Sequence, residues 1–229
     1  MSLRRAAIVV VIAALVSTLG TPIAEFVVLP SLIDPANVEQ TIQNIQANEL
    51  AYVGASFAYL AGFVGDVVVA WGLYYLLRPV SRPLAALTAG FRVVQAVVSI
   101  GAVLHLFTVV RLIHSPSFAA LGSEQLHAQV LVLLLSFGYE WALALVIFGI
   151  HLVLLGYLVY RSRYMPRLVG VALLIAGAGY IVYELGPYLY PAAQLDFLFV
   201  TFAGEALFLL WLAVRGWRIP EGSVVSPVG

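Results

Sequence analysis

Tyr52-Val53-Gly54-Ala55-Ser56-Phe57-Ala58-Tyr59-Leu60-Ala61-Gly62-Phe63-Val64-Gly65-Asp66-Val67-Val68-Val69-Ala70-Trp71-Gly72-Leu73-Tyr74-Tyr75-Leu76-Leu77 runs straight into Arg78-Pro79-Val80-Ser81-Arg82-Pro83. The apolar part carries one charged side chain, Asp66, and ends at two arginines held in a stiff, proline-flanked turn. A run of about 20 apolar residues suffices to cross hydrocarbon as a helix. Polar residues do not alternate with period two, as a transmembrane strand would require. The stretch therefore reads as a membrane-spanning helix, and the rest of the chain can be tested against it.

Five more stretches have the same character. With this one, the six predicted spans cover residues 6–29, 52–77, 84–110, 126–160, 168–189 and 195–214. The fourth is too long for one upright span at about 1.5 Å per residue, so it is expected to tilt or to project at its Gln125 end. Composition agrees: 63% of the 229 residues are hydrophobic and 10% are charged, with a mean hydropathy of +1.04. Soluble domains hold roughly 45–50% apolar and about 25% charged residues. The expected fold is all-α, a single six-span domain over residues 1–219, followed by a disordered tail over 220–229.

Arginine placement orients this bundle. Arg4, Arg5, Arg78, Arg82, Arg161, Arg163, Arg167, Arg215 and Arg218 all fall on one side of six spans, and Arg111 falls on the other. The opposite loops carry Asp34, Glu39, Glu49, Glu124 and Asp196. The positive-inside rule then puts both termini in the cytoplasm of a cell with this chain in its inner (plasma) membrane. The first stretch reads as a retained span, because apolar residues continue through Leu29 past the weak cleavage site at Pro22-Ile23-Ala24. Between spans one and two, a short surface helix is expected within 34–50, with Asp34 as N-cap and Pro35 at its first position. Met165-Pro166 places proline at the start of span five.

Several chemistries are excluded by composition. The chain has no cysteine and no lysine, so thiolate catalysis, thiolate-bound metals and Schiff bases are out of reach. Zero net charge gives no sign of a nucleic-acid partner. Gly-x-Ser-x-Gly, phosphate-loop and dinucleotide motifs are absent, as is His-Glu-x-x-His. No cofactor is indicated.

Ionisable residues inside spans are costly, so they normally turn toward other helices or water. Counting depth from the cytoplasmic arginines sorts them into two layers. A central layer holds Asp66, Arg92, His151 and Glu205, with Gln95 one turn from Arg92 on the same face; it is a candidate binding or proton-relay site. Arg92 cannot lose its proton and needs an anion. Asp66 is favoured by depth, with Glu205 second. An outer layer holds Glu25, His105, Glu140 and Glu184. These are weak candidates for a metal site, since three carboxylates at close range need protons or a cation; interfacial carboxylates reaching water are the plainer reading. Gly170 and Gly177-Ala178-Gly179 give span five a smooth face for close packing. The arginines around Tyr164 can reach anionic lipid headgroups, although the positive-inside bias alone accounts for them.

Phe148-Gly149-Ile150-His151-Leu152-Val153-Leu154-Leu155-Gly156-Tyr157-Leu158, then Tyr160-Arg161-Ser162 and Met165-Pro166-Arg167-Leu168-Val169-Gly170, carry a family resemblance. With Leu76-Leu77-Arg78-Pro79-Val80, Ala24-Glu25-Phe26 and Phe91-Arg92-Val93-Val94-Gln95-Ala96, they make nearly the whole chain similar to the bacterial membrane family named domain of unknown function 4386. The resemblance implies a multi-span inner-membrane protein and supplies no activity. It draws attention to His151, Arg92 and Glu25, which lie inside the matching segments.

Three functions are compatible with this reading. The first is a protein that binds or transports a proton, an ion or a small amphiphile through its intramembrane carboxylates and Arg92. The second is a membrane-embedded lipid-modifying enzyme with Glu and His as acid–base groups. The third is a structural or accessory membrane protein. The bilayer is the one partner the sequence requires.

Overall fold

A computed structural model describes residues 1–115, 122–190, 192 and 194–219, with the backbone alone for Val16 and Thr18. The expected tail over 220–229 lies outside these residues. The described chain is all helical. Helix α1 (Leu3–Ile23) runs through a π turn (Ala24–Val28) into α2 (Leu29–Leu32). Then follow α3 (Val38–Ala47), α4 (Glu49–Leu77), α5 (Arg82–His114), α6 (Ser123–Arg161) and α7 (Arg167–Leu189). A 3-10 segment (Asp196–Phe202) leads into α8 (Ala203–Arg215), and a short 3-10 turn (Gly216–Arg218) closes the described chain.

Among the described residues, six helices are long and apolar enough to cross a membrane: Leu3–Leu32, Glu49–Leu77, Arg82–His114, Ser123–Arg161, Arg167–Leu189 and Asp196–Arg218. Each contains one of the six apolar stretches or all but a residue of it. Their apolar side chains face outward in a way no water-soluble surface tolerates. Leu19, Val97, Val132, Ile175 and Leu210 each keep half or more of their surface exposed, which suits acyl chains as solvent. The 39 residues of α6 make a rod of about 58 Å, well beyond a hydrocarbon core of about 30 Å.

The chain divides into two compact units. The first comprises Met1–Ala14, Gly65–Ala96 and Ala142–Gly229. Its core is built from small residues of α1 (Ala6, Val10) against Leu73 and Leu76 of α4, Leu152 and Leu155 of α6, and Phe208 and Leu212 of α8. Glycines bring α6 and α7 into backbone contact here. A Cβ on Gly170 would lie 2.6 Å from the Tyr160 nitrogen, and one on Gly177 would lie 2.7 Å from the Val153 nitrogen. Gly156 and Gly149 answer from α6, with Gly170 O and Gly177 O each 2.8 Å from the position of a Cβ. Two glycines seven residues apart on each antiparallel helix thus form one seam, which is the close packing expected of the Gly170–Gly179 face.

The second unit comprises Leu15–Val64 and Val97–Trp141. It contains the π turn, where Pro22 and Pro30 each remove one helical N–H. It also contains the surface helix, which begins later than expected. Asn37, and not Asp34, is the N-cap, and its side chain accepts from the Gln40 N–H at 3.0 Å. Asp34 instead accepts from the Ala36 N–H at 2.9 Å and donates its own backbone N–H to Thr41 Oγ1 at 2.8 Å. That local turn consumes the carboxylate one step before the helix starts.

Candidate functional site

The polar centre of the first unit starts from two helices. Arg92, a third of the way along α5, donates from Nη2 to Asp66 Oδ1 on α4 at 2.7 Å, and both residues are buried. One turn earlier on α5, the Thr88 side chain bonds back to Leu84 O, while the Thr88 carbonyl faces His151 Nδ1 at 2.8 Å. A carbonyl only accepts, so Nδ1 carries the proton and His151 presents a bare Nε2. His151 is fully buried. Phe148, one turn earlier on α6, lays its ring 4.9 Å from the Arg92 guanidinium carbon. The same ring stacks on His151 and meets Tyr180 of α7 edge-on.

Glu205 enters from the first turn of α8, half-buried. It interacts electrostatically with both Arg92 and Asp66. Glu205 and Arg92 line one small cavity together with Val10, Val69 and Leu152. The cavity has about 10 Å³ of room, close to the least that holds one water molecule. Arg92 Nε and His151 Nε2, both buried, have no hydrogen-bond partner among the described residues. Buried polar atoms are nearly always paired with protein or water. Gln95, one turn beyond Arg92, is buried in the same unit. The arrangement is one fixed cation serving two carboxylates beside a space the size of a water.

The second unit holds a different set. Glu25, in the π turn, accepts from the Tyr59 hydroxyl. Tyr59 is fully buried and is ringed by Phe63, Phe137 and Trp141. His105 Nε2 faces Glu140 Oε1 at 2.9 Å, linking α5 to α6. His114 Nε2 faces Glu49 Oε2 at 2.9 Å on an exposed surface.

The central residues of the sequence reading therefore share one unit, and Arg92 takes the partner that depth favoured. Of the outer four, Glu25 accepts from Tyr59 and His105 faces Glu140 in the second unit, while Glu184 lies in the first unit, one turn from Tyr180. Among the described residues no three His, Asp or Glu side chains gather as a metal site. Sequence reasoning does not reach Phe148 and Thr88 as site residues. The usable signal is spacing: Phe148 stands three residues before His151, and Thr88 four before Arg92.

Long apolar helices with a buried ion pair inside them define a multi-span α-helical membrane protein. Comparison with known proteins carries this one step further. The chain belongs to the family described as Domain of unknown function (DUF4386), whose model matches residues 9–216. That interval includes every side chain of both polar groups. The chain is also 37% identical over 156 residues to an "Uncharacterized protein" of Archaeoglobus fulgidus, covering 68% of this chain and 80% of that protein. No solved structure matches it.

Proposed function

We propose that this protein binds and exchanges a proton within the membrane, at the site formed by Asp66, Arg92 and Glu205. The observation that carries this reading is the charge count. Two carboxylates face one permanent cation in a low-dielectric interior, so the site is one positive charge short when both are ionised. A single proton shared between Asp66 and Glu205 restores neutrality. The cavity beside them fits a water and not a solute, which favours a proton over a small amphiphile. A water there can pass a proton to a Glu205 oxygen and accept a hydrogen bond from Arg92 Nε. His151 Nε2 offers an acceptor, and Gln95 is buried one turn beyond Arg92. Charge distribution supports an orientation with both termini in the cytoplasm, in the plasma (inner) membrane. Arg4, Arg5, Arg78, Arg82, Arg161, Arg163, Arg167, Arg215 and Arg218 fall at one set of span ends, and Arg111 at the other.

Difference infrared spectroscopy of the reconstituted protein tests the reading. A protonated-carboxyl band that titrates with pH should appear and should vanish in Glu205→Gln or Asp66→Asn. In parallel, vesicles loaded with a pH-sensitive dye should acidify faster with the wild type than with either variant. A wild type that shows neither the band nor any proton flux refutes it.

A further inference from the structure

The turn joining α6 to α7 has no part in the proton site. Tyr164 folds back from this turn and donates its hydroxyl to the Leu76 carbonyl at 2.6 Å. Burial holds its phenol above the ordinary value, so it remains a donor. Met165 and Ser162 are buried beside it. This pins the turn against the end of α4 and assembles Arg161, Arg163 and Arg167 with Arg78, all four exposed.

None of these arginines has a carboxylate partner among the described residues. The guanidinium groups of Arg78, Arg161 and Arg167 lie 4.5, 6.0 and 5.7 Å from the rings of Tyr75, Tyr157 and Tyr160. A ring covers a guanidinium face and leaves its N–H edge free for an anion. The N-terminus of α7 opens in the same place. Pro166 is its N-cap, no side chain caps it, and its first turn has no acidic residue. The Val169 N–H already bonds to Pro166 O, so the N–H groups of Arg167 and Leu168 are left for a ligand.

We propose that this turn binds the phosphate of an anionic phospholipid headgroup. The lipid source follows from what flanks the arginines. Leu168 is 74% exposed, and Tyr157 and Tyr160 are also exposed, so an apolar and aromatic edge adjoins the phosphate position. A free anion has no use for that edge, whereas a lipid tail covers it. Bidentate phosphate contact uses the planar guanidinium, which lysine lacks.

The test uses full-length protein in detergent, with native mass spectrometry and thermal shift. Phosphatidylglycerol, phosphatidylcholine and inorganic phosphate are added separately. The wild type should retain phosphatidylglycerol through delipidation and melt at higher temperature with it, and should respond to neither of the others. Replacing Arg161, Arg163 and Arg167 together by lysine keeps the charge and should lower retention by about tenfold. Equal retention by wild type and lysine variant overturns the proposal, because general attraction then suffices. So does equal retention of phosphatidylcholine, or an equal shift with inorganic phosphate. Arg163→Gln, which alters one exposed side chain without a ring or carboxylate partner among the described residues, should weaken retention alone. Its failure to do so counts equally against the site.

Discussion

Replacing Asp66 by asparagine should cost less than the loss of a buried ion pair normally does, and the shortfall measures the role of Glu205. The pair is 2.7 Å long and its side chains are 9% and 8% exposed. Removing one partner of such a pair typically costs about 3–5 kcal/mol, because the other charge is stranded. Here Arg92 also interacts with Glu205, and the two line one water-sized cavity. In Asp66→Asn, Glu205 becomes the counter-anion. The remaining loss is a charge-assisted hydrogen bond exchanged for a neutral one, about 1–2 kcal/mol. In a chain of this size that lowers the melting temperature by about 2–8 °C. The double variant Asp66→Asn with Glu205→Gln leaves Arg92 without an anion and should lose the full 3–5 kcal/mol, about 6–20 °C. Glu205→Gln alone should be nearly silent, since it leaves the Asp66–Arg92 pair in place. Thermal unfolding in detergent, followed by tryptophan fluorescence, reads all four proteins as a double-mutant cycle. If Asp66→Asn is as damaging as the double variant, or the two changes simply add, the carboxylates do not share Arg92 and the charge argument fails.

Three other expectations follow from the packing and the topology. Gly170→Ala puts a methyl 2.6 Å from the Tyr160 nitrogen and should destabilise by about 1–3 kcal/mol; Gly54→Ala, with nothing within 4 Å, should be neutral or slightly stabilising in the same melting assay. Asn37→Ala removes the cap on α3 and should cost about 1 kcal/mol, with Asn37→Asp close to wild type; faster amide exchange at Gln40 in the alanine variant would report it. Single cysteines at Ser81 and Ser123, in a chain that has none of its own, should label oppositely with a membrane-impermeant maleimide in intact cells. Ser123 should react and Ser81 should not; the reverse pattern inverts the proposed orientation.

Much of the fold was legible because membrane solvation acts on composition along a short stretch of chain. Each span announces itself by about 20 apolar residues, and one set of span ends by arginine. The Gly170–Gly177 seam was legible for a similar reason: side-chain size at a fixed spacing is a local property, and the matching pair at Gly149 and Gly156 completes it. The capping of α3 was misread because Asp34 and Asn37 are both competent caps. The choice between them depends on Thr41, which draws Asp34 into a turn.

The polar site divides along the same line. From the sequence alone came the membrane solvent, the six apolar helices, and the requirement that Arg92 meet a carboxylate. The tertiary structure decided which groups meet: Asp66 for Arg92, Thr88 O for His151, Tyr59 for Glu25 and Glu140 for His105. Depth along a helix is fixed by counting residues. Partnership depends on how each helix is rotated about its axis and how closely its neighbour packs, and those are set by side-chain volumes summed over several helices at once.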